Sequence, residues 1–422
     1  MQANLIVVLY ALLPITLLTS HSLPSIVFYL LLSVSLLMLA AKRFAGATTQ
    51  IFRYRGLIAS YSILFGVVAM SSALHGEWAG ANSEGALRFA LGIWILLLAL
   101  PHVGKTHLRN VIWGVYAATL VSTIILCWLV LNNDARPETP VLIIVTYTSL
   151  IMLLSVLTVY SLKWQLTRHP RLEAALKILL SASSFIVFLT AQTRTGLLGT
   201  PAFILLAALL FVGMKHPKKA VALALATLVV LASAVAVSDN MRERIAQGIH
   251  EVKSCHGDNS TQPSSMCLRL QFWRTAIHAG MSAPWTGLGD SGKFTQYIEE
   301  VAIPEGWTTP YVIRQQFGEP HNDLLVMFVG FGFPGVLSLL LIYLVPCAYL
   351  LPRLLDKKIG ETQRAAAAMG LAVCLGFLFF GFTETMFRRM NTIGFYTAMV
   401  ALFTILSEPS PPQVDEKGSH RY

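Results

Sequence analysis

Apolar residues along this chain gather into runs separated by short polar stretches. Most runs have the roughly 17–25 residues that carry a helix across a bilayer core. The runs predict twelve spanning helices, near 4–20, 24–41, 57–74, 86–101, 110–131, 141–162, 174–191, 197–213, 219–237, 323–351, 365–383 and 391–406. The seventh and eighth are nearly fused. The tenth is long enough to tilt or kink, with Gly330, Gly332, Pro334 and Gly335 marking the place. One stretch breaks the rhythm. Residues 238–322 form a long polar loop subdomain between helices 1–9 (1–237) and helices 10–12 (323–406), and structure is expected in a loop of that length. Within it, 239–253 and 266–281 read as amphipathic helices. In the second, Met266, Leu270, Trp273 and Ile277 recur at helical spacing, with Arg269 and Arg274 on other faces. The tail 407–422 is rich in proline and charge and reads as disordered. The pattern has no internal repeat. The expected fold class is an all-α polytopic membrane protein.

Composition agrees. Of 422 residues, 55% are hydrophobic and 12% charged, against roughly 25% charge in a soluble domain. The net charge of +10 does not point to nucleic acid, because the Lys and Arg sit in short loops and no basic stretch is interleaved with aromatics. Lys42, Arg43, Arg53, Arg55, Lys105, Arg109, Lys163, Arg168, Arg171, Lys215, Lys218, Lys219, Arg353, Lys357, Lys358 and Arg364 fall in one alternating set of loops. The positive-inside rule makes that set cytoplasmic, and both termini with it. Residues 4–20 lack a charged leader and a cleavage site, so they read as a retained span of an inner-membrane protein. Three segments then face the periplasm: the tight turn holding Arg194, the loop 238–322, and the short loop holding Arg388 and Arg389.

Cys127, Cys347 and Cys374 fall in spans, where cysteine serves as small apolar filler. Cys255 and Cys267 share the outer loop, where a disulfide suits an oxidising compartment. No second pair accompanies them to make a metal site.

His321 lies in Glu319-Pro320-His321-Asn322-Asp323, where the outer loop re-enters the membrane. A helix N-terminus disfavours imidazolium, and a neutral imidazole can act as a general base; a His that merely caps the helix fits the same position. Arg194, in Gln192-Thr193-Arg194-Thr195-Gly196, is held near membrane depth, where charged groups usually have a function; snorkelling to headgroups is the other reading. Arg269 offers the planar fork that grips phosphate, or is a solvated surface group. Arg88, Arg388 and Arg389 are weaker candidates of the same kind. Phosphate-binding loops, dinucleotide fingerprints, zinc-protease and serine-hydrolase signatures are all missing from the sequence.

The order of these pieces resembles the O-antigen ligase and polymerase superfamily. It is carried by Thr193-Arg194-Thr195-Gly196, Arg269-Leu270-Gln271-Phe272-Trp273, Pro284-Trp285-Thr286-Gly287-Leu288-Gly289, His321-Asn322-Asp323 and the Gly330–Gly335 cluster. The resemblance is nearest to the lipopolysaccharide O-antigen ligases. It implies a GT-C-like membrane glycosyltransferase that moves a glycan from undecaprenyl diphosphate to lipid A-core oligosaccharide at the periplasmic face, inverting, with no metal or cofactor. It implies that His321 deprotonates the acceptor and that Arg194 and Arg269 clamp the diphosphate, with Arg88 and Arg388 as further contacts. Arg269 and Gly280 fit one Arg-x10-Gly motif of the polymerases, whereas Arg194 is followed at that spacing by Leu205. A polymerase, a protein O-oligosaccharyltransferase, and a lipid-linked glycan transporter remain alternatives.

Overall fold

The computed structural model describes residues 2–132, 137–191, 193, 195–213, 217–237, 239–253, 255, 265–314 and 318–409. Among the described residues the secondary structure is helical, without strands. The principal helices are α1 (Gln2–Thr19), α2 (Leu23–Ala41), α3 (Ala47–His75), α4 (Gly80–Ala99), α5 (Ile112–Asn132), α6 (Ile144–Tyr160), α7 (Pro170–Thr190), α8 (Thr200–Phe211), α9 (Pro217–Val237), α10 (Asp239–Lys253), α11 (Ser265–Ser282), α12 (Asp323–Leu355), α13 (Glu361–Gly381) and α14 (Met390–Leu406). Every expected span coincides with a helix. Among the described residues nine are long and apolar enough to cross a membrane, while α8 and α14 are shorter apolar helices.

The core lies where α12, α13 and α14 meet α3 and α4. Ala365, Ala366, Ala367 and Ala368 of α13 are fully buried, and small side chains let membrane helices approach closely. Rings fill the remaining space: Phe89 meets Phe387 at 5.0 Å, and Phe377 meets Tyr396 at 5.0 Å. Loops assigned to one side by charge converge on each other. Lys163 pairs with Glu361 at 3.3 Å, the Trp164 indole donates to Thr362, Arg364 reaches the Leu209 carbonyl, and Glu408 pairs with Arg53 and Lys105.

The long helix α12 breaks at Gly332, whose φ of 61° and ψ of −156° lie outside any helix. The Pro284–Gly289 segment lies across the break. Leu288 N–H donates to Val329 O at 2.8 Å, Gly289 N–H to Gly330 O at 3.0 Å, and Phe333 N–H to Pro284 O at 2.8 Å. Ser71 of α3 holds the segment from the other side through Thr286 O. Contact this close needs glycine: a Cβ on Gly332 would come within 2.3 Å of Pro284 O, and one on Gly287 within 2.3 Å of the Gly330 backbone.

The buried face of α11 differs from the expected stripe. Phe272, Thr275, Ala276 and Ala279 are buried, whereas Ile277 is half exposed. Small residues carry the packing: a Cβ on Gly280 would strike the Phe328 ring at 2.3 Å. Gly280, the second member of the Arg-x10-Gly spacing, therefore has a packing role. Cys255 and Cys267 are joined by a disulfide, Cα atoms 5.3 Å apart, tying the segment after α10 to the first turn of α11.

Candidate functional site

The site is assembled where the outer loop turns into α12. Asn322 caps the helix: its Oδ1 accepts the N–H groups of Leu324 and Leu325 at 2.9 and 3.2 Å, two of the donors that a helix start leaves unpaired. Its amide donates to Phe382 O at 3.0 Å. The next residue, Asp323, is buried, accepting Phe387 N–H and the Tyr343 hydroxyl. Both side chains thus bolt the turn between α13 and α14 onto the start of α12.

His321, just before the cap, has a φ of 48°, a left-handed conformation that non-glycine residues adopt at a cost of about 1–3 kcal/mol when the surroundings impose it. The surroundings do so here: the Trp273 indole of α11 donates to Pro320 O at 3.0 Å on one side, and the Asn322 contacts hold the other. The resulting side chain sets its Nδ1 3.4 Å from Oε1 of Glu384, with the His321 side chain 26% exposed and that of Glu384 1% exposed. Thr385 N–H donates to the same Glu384 oxygen at 3.0 Å. Opposite an ionised carboxylate, which only accepts, Nδ1–H is the donor of an imidazole and Nε2 the ring atom able to take another proton. The Phe272 ring lies 6.3 Å from the imidazole.

Arg269 is partly buried on α11. It stands one helical turn before Phe272 and Trp273, so it shares the face that meets the His321 segment. Arg194 lies outside the described residues. Its neighbours are anchored: Thr193 and Thr148 share a hydroxyl hydrogen bond of 2.8 Å, and Thr383, next to Glu384, donates to Thr195 at 3.1 Å. All three segments expected on the outer face therefore meet at one end of the bundle. Arg388 forms an ion pair with Glu319, whose other oxygen accepts from Thr385 at 2.6 Å.

Arg88 departs from expectation. It is 5% exposed and its guanidinium is already committed, to Glu84 at 2.6 Å, Ser25 Oγ at 3.0 Å and Met390 O at 3.1 Å. It fastens α4 to α2 and α14 and offers no open fork to a phosphate. Glu384, in contrast, escaped sequence reasoning. Its one signal was an acidic residue at the outer end of an apolar span, a place where charge is costly unless it is used.

A cavity of about 260 Å³ lies beside His321, with Glu319, Pro320 and Asp323 in its wall. Among the described residues no cluster of three His, Cys, Asp or Glu side chains forms a metal site.

No curated protein matches the chain in sequence. Residues 178–340, from α7 into α12 just beyond its break, match the sequence model of the family described as O-antigen ligase. That stretch contains Arg194, Arg269, the disulfide and His321, so the chain is similar to this family over the part that carries the candidate site.

Proposed function

We propose that the chain is a lipopolysaccharide O-antigen ligase, moving a glycan from undecaprenyl diphosphate to lipid A-core oligosaccharide on the periplasmic face of the bacterial inner membrane. The observation that carries this reading is His321, its Nδ1 set against the buried Glu384 carboxylate. Such a pair makes a general base: Nε2 takes the acceptor hydroxyl proton, and Glu384 steadies the imidazolium that results. The acceptor oxygen attacks the anomeric carbon from the face opposite the diphosphate, inverting it, and the lipid diphosphate departs. Arg194 and Arg269 meet the charge that develops on that leaving group, which is stabilisation where the transition state needs it. The reaction so drawn uses no metal or cofactor. The reading also includes twelve spans in a GT-C-like arrangement and cytoplasmic termini, with membrane lipids bathing the apolar faces and no nucleic acid among the partners.

The test compares donor binding with transfer on the same purified variants. His321→Ala keeps donor affinity while transfer falls by roughly 10²–10⁴. Arg194→Ala and Arg269→Ala lose donor affinity, and lysine at either position restores little, since an ammonium lacks the two-pronged planar contact. Full activity of His321→Ala refutes the base. Lost donor binding in that variant, with normal binding in both arginine variants, reverses the roles.

A further inference from the structure

The cavity beside His321 has a lining unlike that of a phosphate site. Its lining includes apolar side chains such as Val68, Phe89 and Phe331, together with a linked set of polar groups. There the Asn82 amide donates to Asp290 Oδ1 at 2.6 Å, Ser291 Oγ donates to Asn82 Oδ1 at 2.9 Å, and Gly292 N–H donates to Asp290 Oδ1 at 2.7 Å. This network joins α4 to the 290–292 turn and fixes three polar side chains in one orientation. Oδ2 of Asp290 is left without a hydrogen-bond partner among the described residues. The uncompensated carboxylate is that of Asp290: among the described lining residues Glu319 is paired with Arg388, and both oxygens of Asp323 are taken, by Phe387 N–H and the Tyr343 hydroxyl. A phosphate placed here meets fixed negative charge, which disfavours it. A neutral polyhydroxylated ring meets what it needs: a carboxylate acceptor, an amide and a hydroxyl, together with apolar surface. Asp290 and Gly292 also line a second, open trough of about 190 Å³, flanked by Trp78, Lys293 and Gln296. There Lys293 bridges to Glu77 at 2.6 Å and holds the Glu77 carboxyl below its ordinary range. Together the two volumes fall in the range of roughly 300–1,000 Å³ usual for small-molecule sites.

We propose that this cavity is the acceptor-sugar subsite, in which Asn82, Asp290 and Ser291 recognise the hydroxyls of an unphosphorylated saccharide unit and the second trough holds the next unit. It rests on the transferase reading above. It separates the two substrates by charge: the diphosphate goes to the arginines, and the neutral acceptor ring to the cavity of Asn82, Asp290 and Ser291.

The test uses the purified full chain in lipid nanodiscs and two kinds of measurement. The first is calorimetric binding of neutral hexose oligosaccharides and of the same oligosaccharides carrying a phosphate monoester. The second is steady-state transfer, with KM read separately for acceptor and donor. Neutral saccharides bind more tightly than their phosphorylated counterparts, and Asp290→Asn narrows that gap. Asn82→Ala and Asp290→Asn each raise acceptor KM by about 10-fold, the worth of a buried hydrogen bond lost, and leave donor binding unchanged. Ala81→Trp, at an exposed position on the cavity rim, blocks saccharide binding without touching the network. Retained donor binding shows that each variant is folded. Tighter binding of phosphorylated saccharides, or donor affinity falling in these variants, overturns the assignment. So does unaltered acceptor KM in a protein that transfers well, and the transferase reading then survives alone. Saccharide binding that is lost in the variants of a protein unable to transfer leaves the subsite standing and removes the transferase reading.

Discussion

Replacing Glu384 by glutamine removes a charge and keeps a shape. When His321 takes a proton it becomes a cation whose Nδ1 sits 3.4 Å from the Glu384 carboxylate. At an effective dielectric of ~20, two unit charges at that distance attract by about 5 kcal/mol. The His321 side chain is 26% exposed, so water screens about half of this, leaving about 2–3 kcal/mol, or roughly 10²-fold in rate. The stabilisation exists only once the imidazolium begins to form. Glu384→Gln therefore lowers kcat by about two orders of magnitude and leaves both KM values nearly unchanged. The glutamine carbonyl still accepts from Nδ1–H, so ring orientation and tautomer persist, and the loss reports charge alone. Glu384→Asp keeps the charge at a greater distance and falls between the two. The assay is steady-state transfer by purified protein at saturating donor and acceptor. An unchanged kcat in Glu384→Gln, or a loss confined to donor KM, refutes the reasoning.

Gly332→Ala lowers the unfolding temperature, because its backbone lies in a region open only to glycine, at a cost of about 1–3 kcal/mol, and its Cβ would meet Pro284 O at 2.3 Å; wild-type melting would contradict the docked break. Replacing Cys255 and Cys267 together by serine opens a short closed loop worth about 3 kcal/mol, so the protein melts earlier while transfer chemistry persists, and both residues found as free thiols in native protein would remove the claim. Single cysteines in place of Gly76, Ala135 and Pro310 react with a membrane-impermeant maleimide from the periplasm, and those in place of Gln50, Gln165 and Lys358 do not; the reverse pattern inverts the topology.

Helix positions were legible because crossing a bilayer demands length and apolarity together, and both are written locally in the chain. The break in α12 was legible from Gly330 to Gly335 for the same reason. The pairing of His321 with Glu384 was not, since 63 positions separate them and no periodicity links residues brought together by tertiary packing. Arg88 shows the opposite failure: its partner was in view, at the i−4 position that faces it on a helix, and weighing Glu84 would have marked the arginine as already satisfied. The α11 stripe misled because large apolar side chains dominate a periodicity, while the packing is done by Ala276, Ala279 and Gly280. The Asn82–Asp290 network joins residues 208 apart and has no sequence signature.

The break in α12 also bears on how the chain is made. Gly332 lies nine residues into the helix, about 13 Å along it at ~1.5 Å per residue. Irregular backbone within an apolar span survives only where other protein satisfies its polar groups. The groups that satisfy it, the N–H donors of Leu288 and Gly289, are synthesised some forty residues earlier. The donors therefore leave the ribosome before the acceptors, and the outer loop is available as a template when α12 enters the bilayer. The bent form of α12, with His321 at its head, and the docked 284–289 segment therefore depend on each other, because the same hydrogen bonds complete both.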